Sequence, residues 1–172
     1  GDDGFKDDSK QAYGHAFVML AAADASMIGH PLAKEMLADV TDVLNIRFWD
    51  ENYGAVSEEF ARNWAKISAY RGQNSNMHLT EALMAAFEAT GTVAYLDKAK
   101  SIARLIIARH AASLDYAVAE HFDEQWKIDR GYKGSDMFRP AGTTPGHWLE
   151  WSRLMAQLWV LDERREAWMI DA

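Results

Sequence analysis

The segment Ala55-Val56-Ser57-Glu58-Glu59-Phe60 recurs 62 residues later as Ala117-Val118-Ala119-Glu120-His121-Phe122. Trp64 and Trp126 keep that offset, and so do Gly29 and Gly91. A fixed period of this size marks one supersecondary unit used more than once, and such a unit buries its apolar face only by stacking on its neighbours. The chain is thereby restricted to architectures built by repetition.

Each unit reads as a helix hairpin followed by a loop. Apolar residues at helical spacing predict a first helix over about Asp8 to Ile28, with Tyr13, Phe17, Leu20 and Ala21 as its stripe, and a second from about Pro31 to Ile46. Phe48 to Val56 predicts a turn flanked by short extended pieces, while Glu58 to Tyr70 fits either a short helix or an ordered loop. A third helix opens at Asn74-Ser75 and ends at Gly91; a fourth runs from about Val93 to Ala111 on Leu96, Ala99, Ile102, Ala103, Ile106 and Ile107. An extended stretch at Ala117 to Trp126 and a polar loop from Lys127 to Gly142 lead to helices over about Gly146 to Leu161 and from Glu163 onward. The longer loop moves the third unit, so that His78 and Glu81 answer to His147 and Glu150 at an offset of 69. Hairpins of this length either close into an α/α toroid, with the first helix of each pair lining the inside, or stack into an open solenoid that binds a partner. Ala82, Ala85 and Ala86 suit tightly packed inner helices.

Composition narrows the function. With 172 residues, of which 49% are apolar, the chain can bury one core as a single domain. A net charge of −8 with scattered Lys and Arg disfavours nucleic acid and anionic membrane as partners. The longest apolar run, Ala16 to Ala23, is too short to span a bilayer, and the acidic N-terminus lacks a signal-peptide pattern. The absence of cysteine excludes disulfides and thiolate metal sites and points to a cytoplasmic location. Asp2, Asp3, Asp7 and Asp8 read as solvated charge, and both ends read as cuts in a longer protein.

The densest chemistry lies in Thr143-Thr144-Pro145-Gly146-His147-Trp148-Leu149-Glu150-Trp151. Thr144 can cap a helix that Pro145 begins, which puts His147 third and Glu150 one turn on along the same face. The positive helix end disfavours imidazolium and Glu150 favours it, so a neutral imidazole able to take a proton near pH 7 is expected. Such a base could remove a proton from a carbon next to a carbonyl. A histidine merely packed on tryptophan at a helix start is the alternative, and the twin pair at His78 and Glu81 weighs against it. Metal is disfavoured, because carboxylate–histidine dimetal sites use the order Glu-x-x-His with further carboxylates, and the order here is reversed. Tyr13, Arg71, Asn74 and Arg139 are candidates for reading sugar hydroxyls, whereas Trp159, Trp168 and Phe87 read as core. His15, His30, His110 and His121 show no partner pattern.

These residues carry a resemblance. Tyr70-Arg71-Gly72-Gln73-Asn74-Ser75-Asn76-Met77-His78-Leu79-Thr80-Glu81-Ala82, Ala119-Glu120-His121-Phe122-Asp123 and Thr144 through Leu154, with Lys10 through Phe17 before them, resemble the N-acylglucosamine 2-epimerase family over nearly the whole chain. The Asn-x-x-x-His-x-x-Glu-Ala and Pro-Gly-His-x-x-Glu-Trp forms are most similar to its aldose–ketose isomerase branch. The resemblance implies an all-α chain forming part of an (α/α)6 toroid, about half of the full barrel. It further implies a monosaccharide as small-molecule partner and no required cofactor. By residue it implies His147 as acid/base supported by Glu150, with Tyr13, Asn74, His78, Glu81 and Arg139 around the sugar. The family's second catalytic histidine and an early-helix arginine have no counterpart among these residues. An incomplete toroid is also expected to expose inner-helix surface through which copies self-associate. A sugar 2-epimerase and an inactive helical-repeat binding fragment are the alternatives.

Overall fold

The computed structural model describes residues 7–134 and 139–171. Asp2 and Asp3, together with four residues of the polar loop, lie outside the described residues.

The helices are α1 (Ala12–Met27), α2 (Ala33–Val43), α3 (Gln73–Thr90), α4 (Val93–Ala103), α5 (Pro145–Leu161) and the short α6 (Trp168–Asp171). Six two-residue strands pair antiparallel: β1 (Lys10–Gln11) with β4 (Glu59–Phe60), β2 (Trp49–Asp50) with β3 (Ala55–Val56), and β5 (Arg71–Gly72) with β6 (His121–Phe122). α3 packs against α1 and α5, and α1, α3 and α5 each pack on the helix that follows. The result is an inner row of first helices backed by an outer row of second helices.

The repeat is a repeat of hydrogen bonds. Ala12 N donates to Glu58 O at 2.9 Å and Gln73 N to Glu120 O at 3.1 Å, so each inner helix starts on the carbonyl of its own unit's loop. Register follows suit, with Gln11 opposite Glu59 and Gly72 opposite His121. Trp64 and Trp126 both take positive φ, 68° and 57°, in loops closed by equivalent bridges, Phe60 to Lys66 and Phe122 to Ile128. Gly29 (φ 77°) and Gly91 (φ 70°) end α1 and α3 in the left-handed region that glycine enters without a Cβ penalty. α2 and α4 each widen into π-type turns, Leu44–Phe48 and Arg104–His110, whose last residues keep the repeat offset. The chain after Arg164 is helical only over Trp168–Asp171, and Glu58 to Tyr70 is an ordered loop without a helix.

The α1 stripe read from sequence is corrected. The buried residues are Ala12, Ala16, Met19, Ala22 and Ala23, whereas Phe17 is 39% exposed and Tyr13 only half-buried. Small side chains let α1 and α3 approach closely, and the rings are displaced to the face beside His78. α3, covered from three sides, buries even Gln73, Ser75, Asn76 and Thr80. Asn76 satisfies itself by accepting from Val56 N at 2.9 Å and donating to Gly72 O at 3.0 Å, which fastens β3 to the start of α3. The α4 stripe is buried as expected.

The C-terminal turn is tied to α4 by ion pairs. Lys100 Nζ lies 2.9 Å from Asp162 and 3.0 Å from Glu166, and Arg104 Nη2 lies 2.5 Å from Glu166. The Trp168 indole N–H donates to Glu166, and this bond, opposed by partial burial and reinforced by Arg104 and Lys100, lowers the Glu166 pKa to about 2. A depressed carboxylate contributes stability above its unfolded pKa and loses it as pH falls through the folded value. Glu166→Gln is therefore expected to cost about 1 kcal/mol or less at pH 7. It should also flatten the loss of melting temperature between the ordinary glutamate range and pH 2, a difference read from parallel thermal melts of both proteins.

Candidate active site

The first turn of α5 is built by a neighbouring loop. Pro145 is its first residue and Thr144 its N-cap, but the Thr144 side chain makes no capping bond. The Glu120 carboxylate instead accepts from the N-cap residue's own N–H, Thr144 N, at 3.1 Å. His147, third in the helix, puts Nδ1 2.9 and 3.0 Å from the two Glu120 oxygens. Gln73 fixes the carboxylate in turn. Trp151 donates its indole N–H to Gln73 Oε1 at 2.6 Å, which leaves the Gln73 amide N–H to donate to Glu120 Oε2 at 2.8 Å. The same amide nitrogen lies 2.8 Å from His147 Nδ1. A charge-assisted bond outweighs a neutral one, so Glu120 rather than Gln73 is the stronger partner of Nδ1.

This environment revises the electrostatic balance read from sequence. The hydrogen bond to Glu120 raises the His147 pKa, burial opposes it, and the charges of Glu120 and Glu150 add to the rise. The dominant partner lies 27 residues upstream and on another element. His78 moves the other way: burial lowers its pKa, and Glu150 and Glu81 only partly offset that. Its Nδ1 is 3.7 Å from Glu81 and 3.8 Å from Glu150, near enough for attraction and too far for a hydrogen bond. Glu150 therefore sits directly against His78, and it acts on His147 only through its charge.

The His78, Glu81 and Glu150 ligand atoms lie within 4.8 Å of one another, a spacing a cation could bridge. Arg153 already serves these carboxylates, with Nη2 at 2.6 Å from Glu81 and 3.8 Å from Glu150. The guanidinium thus already supplies positive charge to this cluster.

The rings of Tyr13 and Phe17 close over His78 at 5.3 and 4.9 Å between centroids. Tyr13 also lines a cavity of about 160 Å³ together with Asn74, Glu58, Tyr70, Glu120 and Arg139. Arg139 reaches the Glu59 carboxylate at 3.1 Å and lies over the Tyr70 ring at 4.9 Å. Burial would lower the Arg139 pKa, and Glu59 and Glu58 overcome it. Burial raises the Glu58 carboxyl, opposed by the Ser75 hydroxyl. Arg71 is buried and donates to Tyr70 O, so it supports the cavity wall from behind. His121, which carried no pattern in the sequence, accepts from Tyr70 Oη at 2.8 Å through Nδ1, donates to Pro140 O at 2.8 Å through Nε2, and stacks on Tyr132. Glu120, Gln73 and His121 were all missed as site residues. Two signals were available: the repeat makes Glu120 equivalent to Glu58, and all three residues lie in segments that carry the family resemblance.

A family model described as N-acylglucosamine 2-epimerase (GlcNAc 2-epimerase) matches residues 1–172. The chain belongs to the N-acylglucosamine 2-epimerase family. A D-mannose isomerase of Pseudomonas cannabina pv. alisalensis is 43% identical over 173 residues, covering 91% of this chain and 42% of that protein. A D-mannose isomerase of Thermobifida fusca is 41% identical over 167 residues, covering 95% of this chain and 41% of the relative. The crystal structure of a D-mannose isomerase superposes with a TM-score of 0.82 at 39% identity, covering 94% of this chain and 42% of that one. The chain thus spans about 42% of the length of the relatives it matches, and its hairpins are part of an (α/α)6 toroid. Among the described residues no helix is long and apolar enough to cross a membrane.

Proposed function

We propose that the full-length protein carrying these residues is an aldose–ketose sugar isomerase that interconverts a monosaccharide pair such as mannose and fructose. The observation that carries this reading is His147: a half-buried imidazole whose Nδ1 is held by a buried carboxylate, so that Nε2 has a fixed direction for proton transfer. The names of the relatives at 41–43% identity support the substrate class. Proton removal at C2 of the open-chain aldose moves the C–H electrons into a C1=C2 double bond while the carbonyl oxygen gains a proton, giving a cis-enediol. Return of a proton to C1 and loss of the O2 proton complete the ketose. His147 is one acid/base in this exchange, and the family's second histidine, contributed from outside this chain, is the other. Tyr13, Asn74 and His78 border the space for the sugar, and hydrogen-bond donors there stabilise the enediolate without a cofactor. Arg139 and Glu81 act through the carboxylates and guanidinium they engage.

The test is to incubate the full-length protein with mannose in deuterated water and follow the products by NMR. Fructose carrying deuterium from solvent is the expected result. Appearance of glucose with no fructose would replace the isomerase by a 2-epimerase, and absence of any carbon-bound exchange would overturn both.

A further inference from the structure

Glu58 and Glu120 occupy equivalent positions of the repeat, and both join consecutive inner helices. The main-chain carbonyl of Glu58 receives the first N–H of α1, while its side chain receives the Ser75 hydroxyl of α3 at 2.7 Å. The main-chain carbonyl of Glu120 receives the first N–H of α3, while its side chain reaches Thr144 N and His147 Nδ1 of α5. Ser75 is the third residue of α3 and His147 the third residue of α5. By helix position His147 therefore answers to Ser75, and His78, sixth in α3, lies one turn deeper. The same strut that ends on a serine hydroxyl in one unit ends on an imidazole in the next.

We propose that Glu120 is the positioning residue of His147, a repeat strut that serves as the carboxylate member of a carboxylate–imidazole pair. The proposal rests on the reading of His147 as acid/base and adds the device that aims it. Both Glu120 oxygens face the first turn of α5, the residue is only 6% exposed, and Gln73, itself locked by Trp151, prevents the carboxylate from turning away. Held this way, Nδ1 keeps its proton in the neutral ring, and Nε2 alone exchanges a proton with substrate. The charged and titratable groups around the ring are Glu120 from the loop before β6, His78 from α3 and Glu150 from α5 itself, with the neutral Gln73 amide completing the shell. Among the described residues, only Glu120 both touches Nδ1 and carries charge.

Two measurements on the full-length protein test this. In the unmodified protein, ¹⁵N shifts of the His147 ring above its titration are expected to show Nδ1 protonated and Nε2 bare; the opposite tautomer would overturn the proposal without any substitution. Glu120→Gln keeps an acceptor for Thr144 N and removes the charge. It is expected to lower kcat for mannose–fructose exchange by about 10²-fold with KM nearly unchanged. The limb of the pH–rate profile that reports His147 should move to lower pH, because the group that raised it is gone. Glu120→Asp, which restores the charge, is expected to recover part of kcat and to return the limb. A Glu120→Gln protein with unaltered kcat and profile, beside an inactive His147→Ala protein, sinks the positioning role alone. A loss of kcat that tracks a loss of melting temperature with the limb unmoved reduces Glu120 to a helix cap and sinks it too. Full activity of His147→Ala would remove the underlying acid/base reading instead.

Discussion

Replacing His147 by alanine in the full-length protein is expected to lower kcat for mannose–fructose interconversion by about 10³-fold while KM changes little. The imidazole lies at the start of α5 with a ring fixed from behind by Glu120 and Gln73, so its removal deletes a proton carrier and leaves the bordering residues in place. An effect on kcat and not on KM is the signature of a group used in the transition state more than in the bound sugar. The fold should survive, because His147 is only half-buried and its loss leaves Glu120 still bonded to Thr144 and Gln73. Steady-state kinetics with a parallel melt decide it: a kcat within a factor of about three of the unmodified protein would show that another group carries the proton.

The second large effect is structural. Trp151 is 1% exposed in the middle of α5, and its N–H is bonded to Gln73 Oε1 at 2.6 Å. Trp151→Ala removes the largest kind of buried side chain and leaves a cavity, for which the expected cost is about 3–5 kcal/mol. It also leaves the buried Gln73 carbonyl oxygen without that donor. Trp151→Phe narrows the comparison, since it retains most of the ring volume while losing the bond, at an expected cost of about 1–3 kcal/mol. Denaturant unfolding of the full-length protein measures both. A Phe variant as costly as the Ala variant would show that the hydrogen bond, and not packing, dominates at this position. Because Gln73 also holds Glu120, either change is expected to slow turnover more than its stability cost accounts for.

Much of the fold was legible in the sequence, and the reason is local. The repeat offset, the glycines that end α1 and α3, and the apolar period of α4 each depend on residues close together in the chain. The start of α5 was legible for the same reason, since proline prefers the first helical turn and the following residues then count off along one face. Where the reading failed, the deciding contact crossed between elements. Tyr13 and Phe17 suit a buried stripe by their size, yet the buried face of α1 is four alanines and Met19, and the rings lie toward His78. Thr144 suits a cap by its chemistry, yet its side chain makes no capping bond and its own N–H donates to a carboxylate arriving from the preceding unit.

The candidate site divides along the same line. Sequence by itself determined the repeat of helix hairpins, the family, and the presence of an imidazole in the first turn of α5, because periodicity and helix-start chemistry are written in neighbouring residues. Only the tertiary structure decided that Glu120 rather than Glu150 holds His147, that Glu150 instead joins Glu81 at His78, and that the two imidazoles are pushed in opposite directions. Hydrogen bonds and charge interactions act over a few ångströms of space, and which carboxylate comes within that reach depends on how the hairpins dock, a relation no single stretch of the chain contains.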